Sequence, residues 1–279
     1  MPAPEPPSTA AGQPGLPTST EVRVQRWRDE GTASATDVVA EESPVALRYQ
    51  GAPYVVMLAT PADLEDLAVG FTVSEAIVAS PDEIRHVRQQ LTGDALEVNI
   101  DIAPPRFAEL LQRQRNLTGR TGCGLCGAET VEGAIRRPPP VRATLSVPLA
   151  KLHAALQELA ARQPLNERTG SVHAAAWVLP EEGIRIVRED VGRHNALDKL
   201  IGALIRSKAD IASGYIIITS RASYEMVQKT ATVGVSLLVA ISAPTGLAIR
   251  LAEACGLTLV GFARPGRHVI YTHPQRLRA

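Results

Sequence analysis

Two cysteines, Cys123 and Cys126, stand among glycines in Thr121-Gly122-Cys123-Gly124-Leu125-Cys126-Gly127, and Cys255 is the only other cysteine. Thiols at this spacing can share a metal ion, exchange a disulfide or carry a sulfur atom. A closed zinc site takes four ligands, and one CxxC supplies two; a dimer could supply four thiolates from two chains. A thioredoxin-like redox pair follows a strand and opens a helix, whereas no clear strand precedes Gly122. A zinc nucleoside deaminase needs His-x-Glu together with Pro-Cys-x-x-Cys. Gly122 occupies the proline position, and no histidine precedes a glutamate by two places. Inert cysteines are usually buried, and a glycine-flanked pair reads as accessible. Carrying sulfur suits the motif best. A thiolate that attacks a sulfur donor becomes a persulfide, and the second thiol can release that sulfur or close a disulfide. Arg120 would favour the thiolate.

The elements that must position such a site fall into two halves. Residues 1–20 are rich in Pro, Ser, Thr and Ala, with Glu5 the only charge; such a tail cannot bury a core and is expected to be disordered. Residues 21–115 read as an α+β region. It holds strands at 45–49 and 54–59, a helix entered through Thr60 as N-cap with Pro61 at its first position, and a strand at 96–102. Residues 116–140, rich in Gly, Arg and Pro, read as a mobile loop carrying the CxxC. Residues 141–279 read as an α/β domain. Its strands at 184–188, 215–219, 235–242 and 257–263 alternate with helices, which predicts parallel strands and right-handed crossovers.

Parallel strands would bring their carboxyl ends to one edge, where ligands of open α/β sheets bind. The segments beyond those strands carry Arg193, Arg221, Arg264 and Arg267 with Ser220, Ser223 and Thr245. Three of them open helices, whose free N–H groups favour anions. A phosphate-bearing ligand is the simplest expectation; the competing one is that these arginines pair with surface carboxylates. His194 is expected to make a helix-entry hydrogen bond, Glu225 to stabilise the first turn of its helix, and Cys255 to pack in the core.

Charges balance, with 29 Lys and Arg against 29 Asp and Glu, which argues against general nucleic-acid binding. Three cysteines make no disulfide framework, so a reducing cytoplasm is the expected compartment. Neither a signal-peptide pattern nor an apolar run of membrane-spanning length is visible.

Taken together, these stretches resemble the FdhD/NarQ family of formate dehydrogenase accessory proteins. The resemblance is carried by Glu42-Ser43-Pro44, Thr60-Pro61 through Gly70-Phe71, Cys123-Gly124-Leu125-Cys126-Gly127 and His173-Ala174-Ala175. It continues through Glu189-Asp190-Val191-Gly192-Arg193-His194-Asn195, Ser220-Arg221-Ala222-Ser223-Tyr224-Glu225, Ser242-Ala243-Pro244-Thr245 and Gly261-Phe262-Ala263-Arg264. Val73-Ser74-Glu75-Ala76 departs from the Leu-x-Glu-Gly common among members. The resemblance implies a sulfurtransferase, a sulfur carrier that takes sulfur from a cysteine desulfurase as a persulfide on Cys123, with Cys126 as partner. It implies delivery to the molybdenum cofactor, bis-molybdopterin guanine dinucleotide, before that cofactor enters formate dehydrogenase. Phe262, Ala263, Arg264, Pro265, Gly266 and Arg267 fall on the family's cofactor-binding stretch, and a guanine nucleotide would mimic the ligand. The implied fold has a cytidine deaminase-like C-terminal domain with a mixed, largely parallel sheet, and the implied assembly is a homodimer. Two alternatives stay open: a chaperone that delivers the cofactor without covalent chemistry, and a CxxC disulfide oxidoreductase.

Overall fold

The computed structural model describes residues 16–29, 31–92, 95–117, 136–142 and 145–279. The CxxC lies outside the described residues. The described chain opens with a hairpin of β1 (Ser19–Arg28) and β2 (Gly31–Ala40), in unbroken antiparallel register from Ser19 with Ala40 to Arg28 with Gly31. A second sheet holds β3 (Ser43–Tyr49), β4 (Ala52–Ala59), β5 (Ile84–Thr92) and β6 (Ala95–Ile102) in the order β4-β3-β6-β5. The β3–β4 turn falls at Gln50 and Gly51, both at positive φ, which matches the strand twist of a tight hairpin. Val45, Leu47 and Tyr49 alternate inward with Leu96, Val98, Ile100 and Ile102, and Leu64, Leu67 and Ala68 of α1 (Leu64–Ser74) cover that face. Helix α2 (Pro104–Leu117) adds Leu110 to the same cluster; its two leading prolines sit where the missing N–H groups cost nothing.

Helix α1 begins three residues later than the Thr60 cap predicts, after Asp63 in the left-handed region. The reason is that Thr60 is occupied elsewhere. It is 1 % exposed. Its N–H donates to Asp190 Oδ2 (3.1 Å), its Oγ1 accepts from Val191 N (3.1 Å), and its carbonyl accepts from Lys199 Nζ (2.9 Å).

The larger sheet follows β7 (Val147–Pro148), α3 (Leu149–Ala160) and α4 (Pro164–Thr169). Its strands are β8 (His173–Leu179), β9 (Gly183–Asp190), β10 (Tyr215–Ile218), β11 (Leu237–Ala240), β12 (Thr258–Arg264) and β13 (Arg267–Thr272), in the order β13-β12-β11-β10-β8-β9. The short β14 (Leu277–Arg278) pairs with β7. Strands β10, β11 and β12 are parallel neighbours, while β9 and β10 are both antiparallel to β8 and therefore share a direction. The sheet is thus mixed, with antiparallel hairpins at both ends. Helices α5 (Arg193–Arg206), α6 (Tyr224–Thr232) and α7 (Gly246–Cys255) cover one face through Leu197, Leu200, Met226 and Leu251, and α3 covers the other through Leu152, Leu156 and Leu159. Cys255 is buried in the first of these layers. With both faces covered, Tyr215–Ile218 and Leu237–Ala240 are apolar at every position.

Helices α1 and α5 join the two halves at backbone distance. A Cβ on Gly70 would lie 1.7 Å from the Asp198 carbonyl oxygen, and one on Gly202 would lie 1.9 Å from the Asp66 carbonyl oxygen. Ion pairs to buried carboxylates flank this crossing. Asp66 receives Arg188 at 2.8 Å and Arg206 at 2.5 Å; Asp190 receives Lys199 at 2.6 Å. Asp198, adjacent to Lys199 in sequence, pairs instead with Lys229 at 2.9 Å. Among the described residues, no helix is long and apolar enough to cross a membrane.

Candidate functional site at the carboxyl edge of the larger sheet

Strands β9 to β12 point one way, so the segments after Asp190, Ile218, Ala240 and Arg264 meet along one edge, as the strand–helix alternation predicts. Main-chain bonds stitch this edge together. Ala222 N donates to the Ala243 carbonyl, Thr245 N to the Ala222 carbonyl, and Phe262 N to the Ser242 carbonyl, at 3.2, 3.0 and 3.1 Å. The loops are therefore fixed to one another and not merely to their strands.

At the β12–β13 end a cavity of about 330 Å³ is lined by Phe262, Arg264, Arg267, His268 and Val269. Phe262 is 51 % exposed and has φ 49°. A bulky residue in the left-handed region carries strain of the kind concentrated at ligand sites. Its exposed ring offers a stacking surface for a flat base, and the guanidinium groups beside it offer forks for phosphate. Arg264 donates to the Ile241 and Ala263 carbonyls. Among the described residues, none of Arg193, Arg221, Arg264 and Arg267 is paired with a carboxylate. Ala263 is fully buried and contributes backbone, while Pro265 and Gly266 form the exposed tip of the turn.

Two residues of this site were not among those singled out by sequence. His153, on α3, accepts the Gly266 N–H at Nδ1 (3.0 Å), and its ring centroid lies 5.1 Å from that of His268. Burial, then the nearby His153, pushes the His268 imidazole below its usual range. A partner 113 residues away leaves no trace in local pattern. His268 also stands four intervening residues from His273, a gap found between zinc ligands. The two part, however: His268 meets His153, and His273 Nε2 lies 3.0 Å from the Glu253 carbonyl. Among the described residues there is no group of three His, Cys, Asp or Glu able to hold a metal.

The remaining expected ligand residues lie along the edge, outside this cavity. Ser220 is buried and its Oγ donates to the Arg221 carbonyl (3.1 Å). Thr245 caps α7, its Oγ1 accepting from Ala248 N (3.3 Å). Arg221 is exposed, and Ser223 Oγ is buried without a partner among the described residues. His194 makes no helix-entry bond; its Nε2 lies 2.6 Å from Glu225 Oε2, joining the first turns of α5 and α6. The adjacent His194, ahead of the opposing effect of burial, holds the Glu225 carboxyl below its ordinary range.

The chain on either side of the CxxC segment is fixed near this edge. Arg113 donates to the Ala76 carbonyl (3.3 Å). Arg136 donates to the Ser74 and Glu75 carbonyls at the end of α1, satisfying acceptors that a helix terminus leaves open. Tyr224, at the start of α6, donates its hydroxyl to the Arg136 carbonyl (2.7 Å).

Comparison with known proteins gives a consistent result. The family model described as "FdhD/NarQ family" matches residues 40–278. A sulfur carrier protein FdhD of Cupriavidus necator is 50 % identical over 278 residues, covering 100 % of this chain and 96 % of that one. One from Xanthomonas campestris pv. campestris is 51 % identical over 269 residues, covering 95 % and 96 %. Among solved structures, a formate dehydrogenase accessory protein from Desulfotalea psychrophila superposes with a TM-score of 0.77 at 23 % identity, over 94 % of this chain and 100 % of that one. The last likeness establishes the shared fold.

Proposed function

Because this chain belongs to the FdhD/NarQ family, we propose that it is a sulfur carrier serving formate dehydrogenase, with Cys123 as the persulfide site. The donor is a cysteine desulfurase. Cys123 thiolate attacks the outer sulfur of the donor's persulfide; the new S–S bond forms as the donor's bond breaks, and the donor cysteine leaves as thiolate. Cys126 protects the loaded sulfur or releases it. The acceptor is the bis-molybdopterin guanine dinucleotide molybdenum cofactor, which here is cargo.

The observation that carries this reading is the carboxyl edge itself. An exposed, strained Phe262 stands beside Arg264 and Arg267, which have no carboxylate partner among the described residues, in a cavity of about 330 Å³. That combination suits the guanine and phosphates of a dinucleotide. The CxxC segment returns at Arg136, held by Tyr224 at the start of a helix opening on the same edge. Most of the catalytic work in such a carrier is positioning, since thiol exchange needs sulfur atoms within reach more than strong acids or bases.

Incubation with a cysteine desulfurase and cysteine, followed by mass spectrometry of the intact and digested protein, tests the reading. One added sulfur on Cys123 is the expected result. Guanine-nucleotide binding without any sulfur adduct would replace it with non-covalent cofactor delivery.

A further inference from the structure

Nδ1 of His153 has two neighbours that need it in opposite protonation states. The Gly266 N–H approaches it at 3.0 Å, and the Arg264 carbonyl oxygen lies 3.2 Å from it. A deprotonated Nδ1 accepts from the first; a protonated Nδ1 donates to the second. We propose that His153 and His268 form a proton-uptake pair at the nucleotide cavity, taking a proton from solvent when a pyrophosphate binds there. The inference rests on the nucleotide-site reading and adds to it two residues and a pH dependence.

The turn joining β12 to β13 sets up this choice. It runs through Pro265 and Gly266, with Arg264 opposite Arg267. Proline fixes φ at about −65°, and Gly266 has φ 81°, the combination of a type II turn. Such a turn leaves the Gly266 N–H without a partner of its own. His153, reaching across from α3, supplies either an acceptor for that N–H or a donor to the Arg264 carbonyl. One proton decides which.

The surroundings favour neutral rings when no anion is bound. The charged side chains lining the cavity beside His268 are Arg264 on β12 and Arg267 on β13. On α3, Lys151 stands two residues before His153 and pairs with Glu181 at 3.6 Å. Strand β9, which also packs on α3, has its Arg185 paired with Glu182 at 3.0 Å. Among the described residues neither ring is paired with a carboxylate; the histidines that meet one are His194 and His273. Burial, then His153, accordingly holds the His268 imidazole below its usual range. Its Nδ1 is buried without a partner among the described residues, which leaves Nε2 for a ligand in the cavity.

A bound pyrophosphate reverses this balance. The two ring centroids are 5.1 Å apart, and His268 lines the cavity itself. A nearby negative charge favours the charged imidazole, while each ring opposes protonation of the other. The proton therefore belongs to the pair and not to one ring. Its sign follows from linkage. The complex holds the proton more tightly than the free protein, so affinity rises as the pH falls through the bound-state value. The rise levels off below the free-state value, and above both values affinity is independent of pH.

The test uses the full-length protein and guanosine diphosphate mannose, whose pyrophosphate is esterified at both ends and does not titrate near neutral pH. Affinity is expected to rise about tenfold between about pH 8 and about pH 5.5, the effect of one group whose pKa moves by about one unit on binding. Calorimetry in buffers of different ionisation enthalpy should show net proton uptake as the wild-type complex forms. His153→Asn with His268→Gln keeps an acceptor for the Gly266 N–H but no titrating ring, and should abolish both the rise and the uptake. A merely structural pair would change affinity by the same factor at every pH. The wild-type ring resonances carry the test without any substitution: His153 and His268 should titrate at higher pH in the complex than alone. Wild-type affinity that is flat with pH, ring titrations that binding leaves unmoved, or uptake that persists in the double variant overturns the proposal and spares the nucleotide site. A wild-type chain that binds neither guanosine diphosphate mannose nor guanosine diphosphate overturns both.

Discussion

Tyr224 donates its hydroxyl to the Arg136 carbonyl at 2.7 Å. This single bond ties the chain returning from the CxxC segment to the first residue of α6, next to Glu225 and one residue from Ser223. Arg136 in turn grips the end of α1 through the Ser74 and Glu75 carbonyls, and Lys229 of α6 reaches Glu75 at 2.6 Å. Arg136 is therefore held where the two halves of the molecule meet, at the end of α1 and the start of α6.

The crossing of α1 and α5 depends on two absent side chains. Gly70→Ala places a methyl group against the Asp198 carbonyl and Gly202→Ala places one against Asp66. Neither backbone can move without disturbing the flanking ion pairs. Each substitution is expected to destabilise the protein by about 3 kcal/mol, the upper end for overpacking, as a lower urea midpoint with little change in slope. Replacement of Gly51, which has open space around it, by Asn should cost far less.

Lys229 is almost fully buried between Asp198 and Glu75. Burial opposes its charge, but the two carboxylates outweigh that and hold its ammonium above the ordinary range. Lys229→Met leaves Asp198 buried without its cation and should cost about 3–5 kcal/mol. The double variant Lys229→Met with Asp198→Asn should recover a measurable part of that loss in the same urea titration, since it removes the uncompensated charge.

Much of the larger sheet was legible because its signal is local. The apolar runs at Tyr215–Ile218 and Leu237–Ala240, the Thr245 cap and the Gly256 stop mark strands and helices without reference to distant residues. The first half was read less completely. Strand β5 has the sequence Ile-Arg-His-Val-Arg-Gln-Gln-Leu-Thr and hides its alternation among polar side chains. Thr60-Pro61 carries a valid helix-start pattern, yet Asp190 and Lys199 claim Thr60 from 130 and 139 positions away. The same limit applies at the site. Arg264 and Arg267 stand together after a strand and draw notice from local pattern, whereas Phe262 was singled out only through the family resemblance. His153, and the meeting of His194 with Glu225, follow from crossovers that no local pattern encodes.

Acid should weaken the fold through its histidines. His173 and His268 both lie below their ordinary value of 6.5, chiefly through burial. The unfolded chain therefore binds more protons than the folded one as the pH falls through that region. Their stabilising contribution is complete above about pH 6.5 and is lost as the pH drops through the lowered folded-state values. The urea midpoint should fall between pH 7.5 and pH 5.5, settings of about one unit to either side of 6.5. The double variant His173→Gln with His268→Gln should flatten that dependence.

Nucleotide affinity should divide between the ring and the charges. Phe262→Ala is expected to weaken guanosine diphosphate binding by about 1–3 kcal/mol through lost stacking, measured by calorimetry. Arg267→Ala should weaken it with a reduced salt dependence, because a phosphate partner is lost. Ser220→Ala should change it little, since that hydroxyl already serves the Arg221 carbonyl.

The most direct measurement follows labelled sulfur from a desulfurase, through this protein, to the isolated bis-molybdopterin guanine dinucleotide cofactor. The wild-type chain should pick up one sulfur and surrender it to the cofactor, Cys123→Ala should do neither, and formate dehydrogenase matured with the loaded cofactor should be active. Equal sulfur delivery with Cys123→Ala, or a loaded wild-type chain that never parts with its sulfur, would contradict the account.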